Sequence, residues 1–251
     1  MRLASTLLLM PVAAIALSGA VASGAITDVD SVLIEERIWN DFPDSTLVST
    51  DNYPSSVVID ESAFGSGGWA NKHVAWLSSD GGATKHMLAN AEDFAISVDV
   101  KLEAAATAPR KEVGFRFDTF GGEGLVNITS DGEVAAFGGP LPFHSFGASA
   151  YTLGTTVTLG VVYVAPAGGS PGTIEYILDG LSSGPLAFTN LEQGIINSSK
   201  VGLTLQNQVD TNNAGDFGKV TYSNFVVDVP EPASLVLLGL GGLMASLRRR
   251  A

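Results

Sequence analysis

The chain has 251 residues, no cysteine, and 26 Asp and Glu against 13 Lys and Arg, for a formal net charge of −13. Without thiols it has no disulfides, no cysteine nucleophile, no Cys-ligated zinc and no iron–sulfur cluster. Between residues 26 and 229 the balance is 25 acidic to 9 basic side chains with no Lys/Arg cluster. That excludes nucleic acid as a partner, because polyanions are held by clustered cations that displace counterions.

The chain opens with Met1 and Arg2, an uncharged apolar stretch over residues 3–17 and small residues over 18–25. This is the layout of a secretory signal peptide, residues 1–25, and it implies export through the Sec translocon. Two triplets fit the small-x-small rule before a cleavage, Ala20-Val21-Ala22 and Ser23-Gly24-Ala25, so the mature chain is expected to begin at Ser23 or Ile26. Residues 26–228 then form one body, long enough to bury about 70% of its unfolded surface without cross-links.

Residues 26–53 are weakly patterned and read as a strand plus covering loops. Short strands are expected at 56–59 and 73–78. Residues 94–102, FAISVDVKL, alternate strictly, with Phe94, Ile96, Val98, Val100 and Leu102 on one face and Ser97, Asp99 and Lys101 on the other. Residues 112–118 do the same, with Val113, Phe115 and Phe117 inward. The segment 125–129, Ser130-Asp131-Gly132, 133–137 reads as a hairpin with an Asp-Gly turn. A second hairpin joins 155–164 to 172–178 through APAGGSPG, whose Pro and Gly cannot continue a ladder. Residues 200–206 carry Val201, Leu203 and Leu205 inward, and GKVTYSNFVV over 218–227 closes the body. Two longer segments, 138–154 and 181–199, read as loops, with a short helix near 191–195. The total is nine or ten short strands in an all-β, two-sheet antiparallel sandwich.

FAISVDVKL, a hairpin ending in TIEYILDG and the last strand GKVTYSNFVV together resemble the concanavalin A-like or laminin G-like jelly-roll class, over about residues 55–228. The resemblance is one of fold and carries no diagnostic motif. It implies a body that binds carbohydrate or plays a structural part, or, as the alternative, a glycoside hydrolase acting on polysaccharide. A hydrolase needs two carboxylates across the scissile bond. The Glu-x-Asp-x-x-Glu pattern of such enzymes is absent, and Asp99, Glu103 and Glu112 read as solvent-facing. His73, His86 and His144 are too scattered for a zinc motif, and no Gly-x-Ser-x-Gly elbow occurs. No catalytic residue is assigned.

Two binding features remain. The oxygen-rich loop from Asp210 through Asn212 to Asp216 has the composition of a calcium loop, although Ala214 and Thr221 break the EF-hand pattern. Trp39, Trp69 and Trp76 lie in polar surroundings, and flat indoles stack on sugar rings as well as fill cores. Trp76 is expected in the core. Trp69, beside Gly67, Gly68 and Asn71, is the candidate exposed platform, with Trp39 near it. Asn127 and Asn197 match the N-glycosylation sequon, which the C-terminal tail implies is incidental.

Residues 229–251 end the chain in three parts: Pro230-Glu231-Pro232, an uncharged run over 233–247, and Arg248, Arg249 and Arg250. The prolines keep the first part extended. As a helix the run reaches about 22 Å, short of a hydrocarbon core of about 30 Å. The arginines keep the far end cytoplasmic, which sets the body outside. The three parts resemble the PEP-CTERM sorting signal of Gram-negative bacteria, in which a short transmembrane helix is followed by an Arg-rich end. The resemblance implies a transient anchor in the inner membrane and recognition of Pro230, Glu231 and Pro232 by an exosortase. It further implies release to the cell surface or the extracellular matrix, in company with exopolysaccharide and biofilm.

Overall fold

The computed structural model describes residues 23–25, 28–88, 93–189 and 199–230. The leader through Ala22, the helix expected near 191–195, Asn197, and everything from Glu231 onward, with Pro232, the apolar run, Arg248, Arg249 and Arg250, lie outside the described residues. Among the described residues no helix is long and apolar enough to cross a membrane.

Sixteen strands are described: β1 (Ser23–Ala25), β2 (Ser31–Asn40), β3 (Thr46–Asn52), β4 (Ser56–Ser62), β5 (Ala70–Ser78), β6 (Phe94–Ala104), β7 (Lys111–Thr119), β8 (Gly122–Thr129), β9 (Val134–Phe137), β10 (His144–Gly147), β11 (Thr156–Val164), β12 (Thr173–Leu178), β13 (Leu181–Ser182), β14 (Leu186–Ala187), β15 (Lys200–Gln208) and β16 (Phe217–Pro230). One sheet runs β13-β12-β11-β6-β16-β4-β3, with β1 added to β16 and β14 to β12; the other runs β10-β9-β8-β7-β15-β5-β2. Neighbours are antiparallel, so the molecule is a two-sheet jelly-roll sandwich.

The alternation decides which side of each strand is buried. Phe94, Val98, Val100 and Leu102 of β6 face Val113, Phe115 and Phe117 of β7 and Val201, Leu203 and Leu205 of β15 across one core. Each such side chain contributes about 1.5–3 kcal/mol on burial. Tyr222 of β16 ties the layers together. Its hydroxyl accepts the Gly114 N–H at 2.9 Å and donates to the Thr204 carbonyl at 2.6 Å, and burial pushes its phenol pKa up. Both predicted hairpins form, with Val164 opposite Thr173 and Ile128 opposite Val134. The Asp179-Gly180 turn that links β12 to β13 has φ of 48° and 79°, the positive pair of a tight hairpin.

Two expectations change. Residues 28–53 hold two strands, β2 and β3, one on each sheet, where the weak pattern indicated one strand plus loops. The pattern is weak because β2 is bulged between Glu35 and Trp39 and β3 is an edge strand with little buried surface. The segments read as loops also carry short strands: 138–154 contains β10, paired with β9, and 181–199 contains β13 and β14, both paired with β12.

At one end of the sandwich the inward positions turn polar. Counting by twos from Val57 and Ile59 reaches Glu61; from Leu77 and Ala75 it reaches His73 and Asn71; from Leu205, Asn207; and from Val113, Lys111. All five are fully buried. Glu61 accepts from Ser45 Oγ and Asn71 Nδ2, both at 2.6 Å, and its other oxygen lies 3.1 Å from His73 Nε2. His73 Nδ1 accepts the Arg37 N–H at 3.0 Å, which leaves the ring proton on Nε2, toward Glu61. Burial opposes ionisation of Glu61, but His73, Ser45 and Asn71 outweigh it and hold the carboxyl below its ordinary range.

Candidate functional site

The outward positions of the second sheet carry the site. The row Trp76, Gly202, Arg116 crosses β5, β15 and β7, and the row Lys72, Gln206, Glu112 lies on the same face beyond the row Val74, Thr204, Gly114. Trp39 of β2 is opposite Lys72. Ile38, Trp39, Trp69, Ala70, Lys72, Arg116, Glu123 and Gln206 line a groove of about 370 Å³, within the range of small-ligand sites.

Three charges meet in the groove. Lys72 Nζ bonds Glu123 Oε1, bridging over β7 and β15, and Arg116 Nη1 reaches the same oxygen at 3.0 Å. Burial lowers the Lys72 pKa, helped by the Arg116 charge and opposed by Glu123. Two cations thus share one carboxylate on a molecule that is strongly acidic elsewhere. Glu112, farther along the face, accepts from Asn127 Nδ2 at 3.0 Å. Burial raises its carboxyl pKa against the pull of Arg110, Lys72 and Asn127. The sequence placed Glu112 in solvent; it is instead half-buried.

Trp39 and Trp69 form one wall of the groove. Their rings lie 6.1 Å apart at 82°, and they are 53% and 52% exposed, so indole surface is open to a ligand. Both sit on irregular backbone, and Asp41 holds them. Its Oδ2 accepts the N–H groups of Trp69 at 2.9 Å and Ala70 at 3.2 Å. These bonds, with a side-chain bond from Trp39, lower the Asp41 pKa. The expected Trp39 and Trp69 platform is therefore a pair.

Asn71 is not part of it. It points inward, accepts the Phe42 N–H at 2.9 Å and donates to the Phe42 carbonyl and Glu61. Its task is to fasten the segment after Asp41 to the buried Glu61 network. Trp76 reverses the sequence expectation in the opposite sense. It is buried but lies on the outer side of the sheet, not in the core. A Cβ on the neighbouring Gly202 would come within 2.9 Å of its ring, so the missing side chain there makes the bed for the indole. Lys85 Nζ at 4.7 Å and the Arg116 guanidinium at 5.6 Å cover the ring. Its Nε1–H donates to Glu35 at 2.7 Å. Burial opposes ionisation of Glu35, but the bonds from Lys85 and Trp76 together outweigh it and bring its pKa down.

The Asp210-Asn212-Asp216 loop is organised around a different cation. Asp216 is buried, and both its oxygens lie 2.9 Å from Lys111 Nζ. Asp216 also accepts the Asp210 N–H at 2.8 Å, while Asp210 accepts from Asn212 N at 3.0 Å. Of the three residues named as calcium ligands, Lys111 pairs with Asp216 alone. Among the described residues no group of three or more His, Asp or Glu is arranged to hold a metal.

Lys72, Arg116, Glu123 and Gln206 were not singled out from the sequence. Alternation does place Arg116 opposite to Phe115 and Phe117, facing out. What it lacks is the strand order that brings β5, β15, β7 and β8 side by side.

Residues 228–250 match the PEP-CTERM protein-sorting motif. Among curated proteins no relative matches the chain. Among solved structures, an alginate lyase of polysaccharide lyase family 7 shares the fold at 14% identity and a TM-score of 0.51, over 72% of this chain and 81% of that one. An alginate lyase from Corynebacterium sp. aligns at 14% identity and a TM-score of 0.48, over 69% and 76%. The binding domain of a botulinum neurotoxin aligns at 11% identity and a TM-score of 0.45, over 78% and 43%. The sorting motif marks an exported protein, anchored in the membrane transiently before an exosortase processes it.

Proposed function

We propose that the exported body is a carbohydrate-binding module of the cell surface or extracellular matrix, and that its ligand is an acidic polysaccharide. The observation that carries this reading is the groove itself, where an open Trp39–Trp69 wall stands beside Lys72 and Arg116 on a protein of net charge −13. Indole faces stack on the apolar sides of sugar rings. A guanidinium recognises a carboxylate through paired hydrogen bonds. In the free protein Glu123 occupies the two cations; a uronate would compete for them. The fold shared with an alginate lyase agrees with a polysaccharide ligand.

We favour binding over hydrolysis because Glu123 is the one carboxylate among the groove-lining side chains, and it is neutralised by two cations. Glu112, with its raised carboxyl pKa, is the observation that keeps a glycoside hydrolase as the second reading. Upstream, the body would be exported by the Sec translocon, held in the inner membrane by its tail, and freed by an exosortase that recognises Pro230, Glu231 and Pro232.

The test is a glycan screen with neutral and uronate-containing polysaccharides, followed by tryptophan-fluorescence titration. Replacing Trp39 or Trp69 with Ala is expected to weaken binding by about 2 kcal/mol, roughly 30-fold, as for a buried aromatic anchor. Added salt should weaken it too, since the charges are partly exposed. Equal binding by the double Trp variant would overturn the groove. Release of reducing ends that stops in Glu112→Gln would replace the module with the hydrolase.

A further inference from the structure

Strands β7 and β16 start from the same end of the sandwich. Lys111 opens β7, Asp216 immediately precedes β16, and the two are bonded through the lysine ammonium. From there the strands run in different sheets, β7 to Thr119 and the turn at Phe120, and β16 to Val227, which lies opposite Ile96 near the start of β6. Packed sheets keep their strand directions within about 30° of each other, so Phe120 and the exit of β16 share the far end. The sorting tail leaves the body there.

Exposed apolar side chains collect at one edge of that end. Phe120 tips the β7–β8 turn and is 102% exposed, while Phe143 and Phe137, on either side of the β9–β10 connection, are 73% and 39% exposed. His144 is opposite Ala136, so Phe143 follows on beside Phe137. The turn and the connection touch: a Cβ on Gly121 would stand 3.4 Å from Pro140 Cδ. Tyr176 of the other sheet fastens the connection, its hydroxyl donating to the Pro142 carbonyl at 2.9 Å. Half-exposed Val164 ends β11 at this end too, one residue past the pair Tyr163–Phe94. Residues 134–174 contain no Asp, Glu, Lys or Arg, in a chain that is 16% charged. Aromatic tips on uncharged loops mark a surface made for contact, and their chemistry is that of the boundary between lipid headgroups and acyl chains.

The tail says which partner reaches them. Its apolar run begins at Ala233, six residues past Val227, and six extended residues span at most about 22 Å. From Lys111 to Thr119 β7 covers about 27 Å, so an anchored body cannot turn its other end to the bilayer. We propose that, while the tail holds the protein, Phe120, Phe137 and Phe143 seat this end of the sandwich in the lipid surface of the membrane. The loops offer no cation, so the contact is with the apolar boundary and requires no anionic lipid. The Trp39–Trp69 wall, near the opposite end where β2 meets the start of β5, then faces away from the bilayer. The proposal rests on the tail as a membrane anchor and is independent of the carbohydrate ligand.

The experiment uses the exported protein with its tail attached, made in a host without an exosortase and reconstituted in phosphatidylcholine vesicles whose headgroups carry a nitroxide quencher. The chain has no cysteine of its own, so Ser145→Cys, Asn212→Cys and Ser246→Cys each place one environment-sensitive fluorophore. They report the apolar edge, the opposite end and the tail. Quenching at 145 is expected to exceed that at 212 by about threefold or more, as for a group at the interface against one a strand length away. Adding Phe120→Asp and Phe143→Asp should bring it down to the level at 212. Both side chains are exposed, so the urea midpoint should hold and show that the fold is intact. Equal quenching at 145 and 212 with the tail label quenched overturns the docking surface alone, and so does quenching that the Asp pair leaves unchanged. A label at 145 that is shielded without quenching, and freed as the protein is diluted in the bilayer, assigns the surface to a second copy and overturns the membrane. A tail label that is never quenched overturns the anchor, and the proposal falls with it.

Discussion

Replacing Lys111 with Met removes a charge from the interior and keeps most of its volume. Lys111 is fully buried, and its ammonium lies 2.9 Å from each oxygen of Asp216, itself only 3% exposed. The variant leaves that carboxylate buried with a single neutral donor, the Asp210 N–H. Breaking a buried pair from one side costs about 3–5 kcal/mol, against about 0–1 for an exposed pair. In a domain of this size each kcal/mol lowers Tm by about 2–4 °C, so the drop should be roughly 6–20 °C. Urea unfolding and differential scanning calorimetry at neutral pH measure it. The companion is Lys111→Met with Asp216→Asn, which removes both charges and keeps an acceptor for the Asp210 N–H. It should recover most of the loss. A single variant that costs less than about 1 kcal/mol, or a double variant no better than the single, would refute the buried pair as the organiser of this loop.

The other predictions follow from the same accounting of neighbours. Gly202→Ala puts a Cβ 2.5 Å from Val74 Cγ1 and 2.9 Å from Trp76 Cε3. It should cost about 1–3 kcal/mol and change the Trp76 fluorescence, and an unchanged spectrum would contradict the bed assigned to that indole. Glu61 has a folded pKa below its unfolded 4.5, so its contribution is complete above 4.5 and is lost as pH falls through the folded value. Glu61→Gln should flatten the acid limb of stability against pH, measured as urea midpoints, and an unaltered limb would count against it. Asn71→Ala strips the Phe42 N–H of its acceptor and Glu61 of a donor, at about 1–3 kcal/mol for each orphaned group. It should also loosen the Trp39–Trp69 pair, seen as loss of near-ultraviolet circular dichroism beyond that explained by unfolding. Melting curves in calcium and in chelator should coincide, because Lys111 already neutralises Asp216; a calcium-dependent rise in Tm would restore the metal reading of the loop.

Strands whose two faces differ chemically could be read from the chain. FAISVDVKL has one apolar parity, and its buried face follows without knowledge of any neighbour. HVAWLSS does not. In β5 both parities are apolar, Val74 and Trp76 on one and Ala75 and Leu77 on the other, and bulk alone assigns Trp76 to the core. The deciding residue is Gly202, on another strand, which leaves room for the ring outside. The sequence groups Asn71 with Trp69 because the strand is expected to begin at residue 73; β5 begins at Ala70, and Asn71 shares the inward side with His73 and Ala75. In the acid loop, the partner of Asp216 was not legible for a reason of distance. Asp210, Asn212 and Asp216 look like ligands for a cation supplied from solution, while the cation that meets Asp216 comes from β7, 105 residues away. Trp39 and Trp69 could be nominated singly, from polar flanks. Their pairing depends on β2 lying beside β5 and on Asp41 bonding across to the start of β5.

The polar end of the core and the open tryptophans belong to one arrangement. A ligand wall built from a bulged strand and a loop is imprecise unless something fixes the backbone beneath it. Here the backbone at Trp69 and Ala70 is bonded to Asp41, the next residue, Phe42, is bonded to Asn71, and Asn71 is bonded to Glu61 in the interior. Glu61 is bonded in turn to Ser45 and faces His73, while Arg37 donates to Ser45. Beyond the exposed Asp41–Trp69 bond, every step is a hydrogen bond or ion pair on buried or half-buried groups, where an unmade bond costs more than a made one yields. An apolar end to the core would have been simpler to stabilise, since buried charges are often replaceable by hydrophobic side chains at no loss. It would have offered no directional partner for the loop that carries the wall. The charged interior is therefore best understood as the foundation of the Trp39–Trp69 edge, with rigidity at the groove as its result.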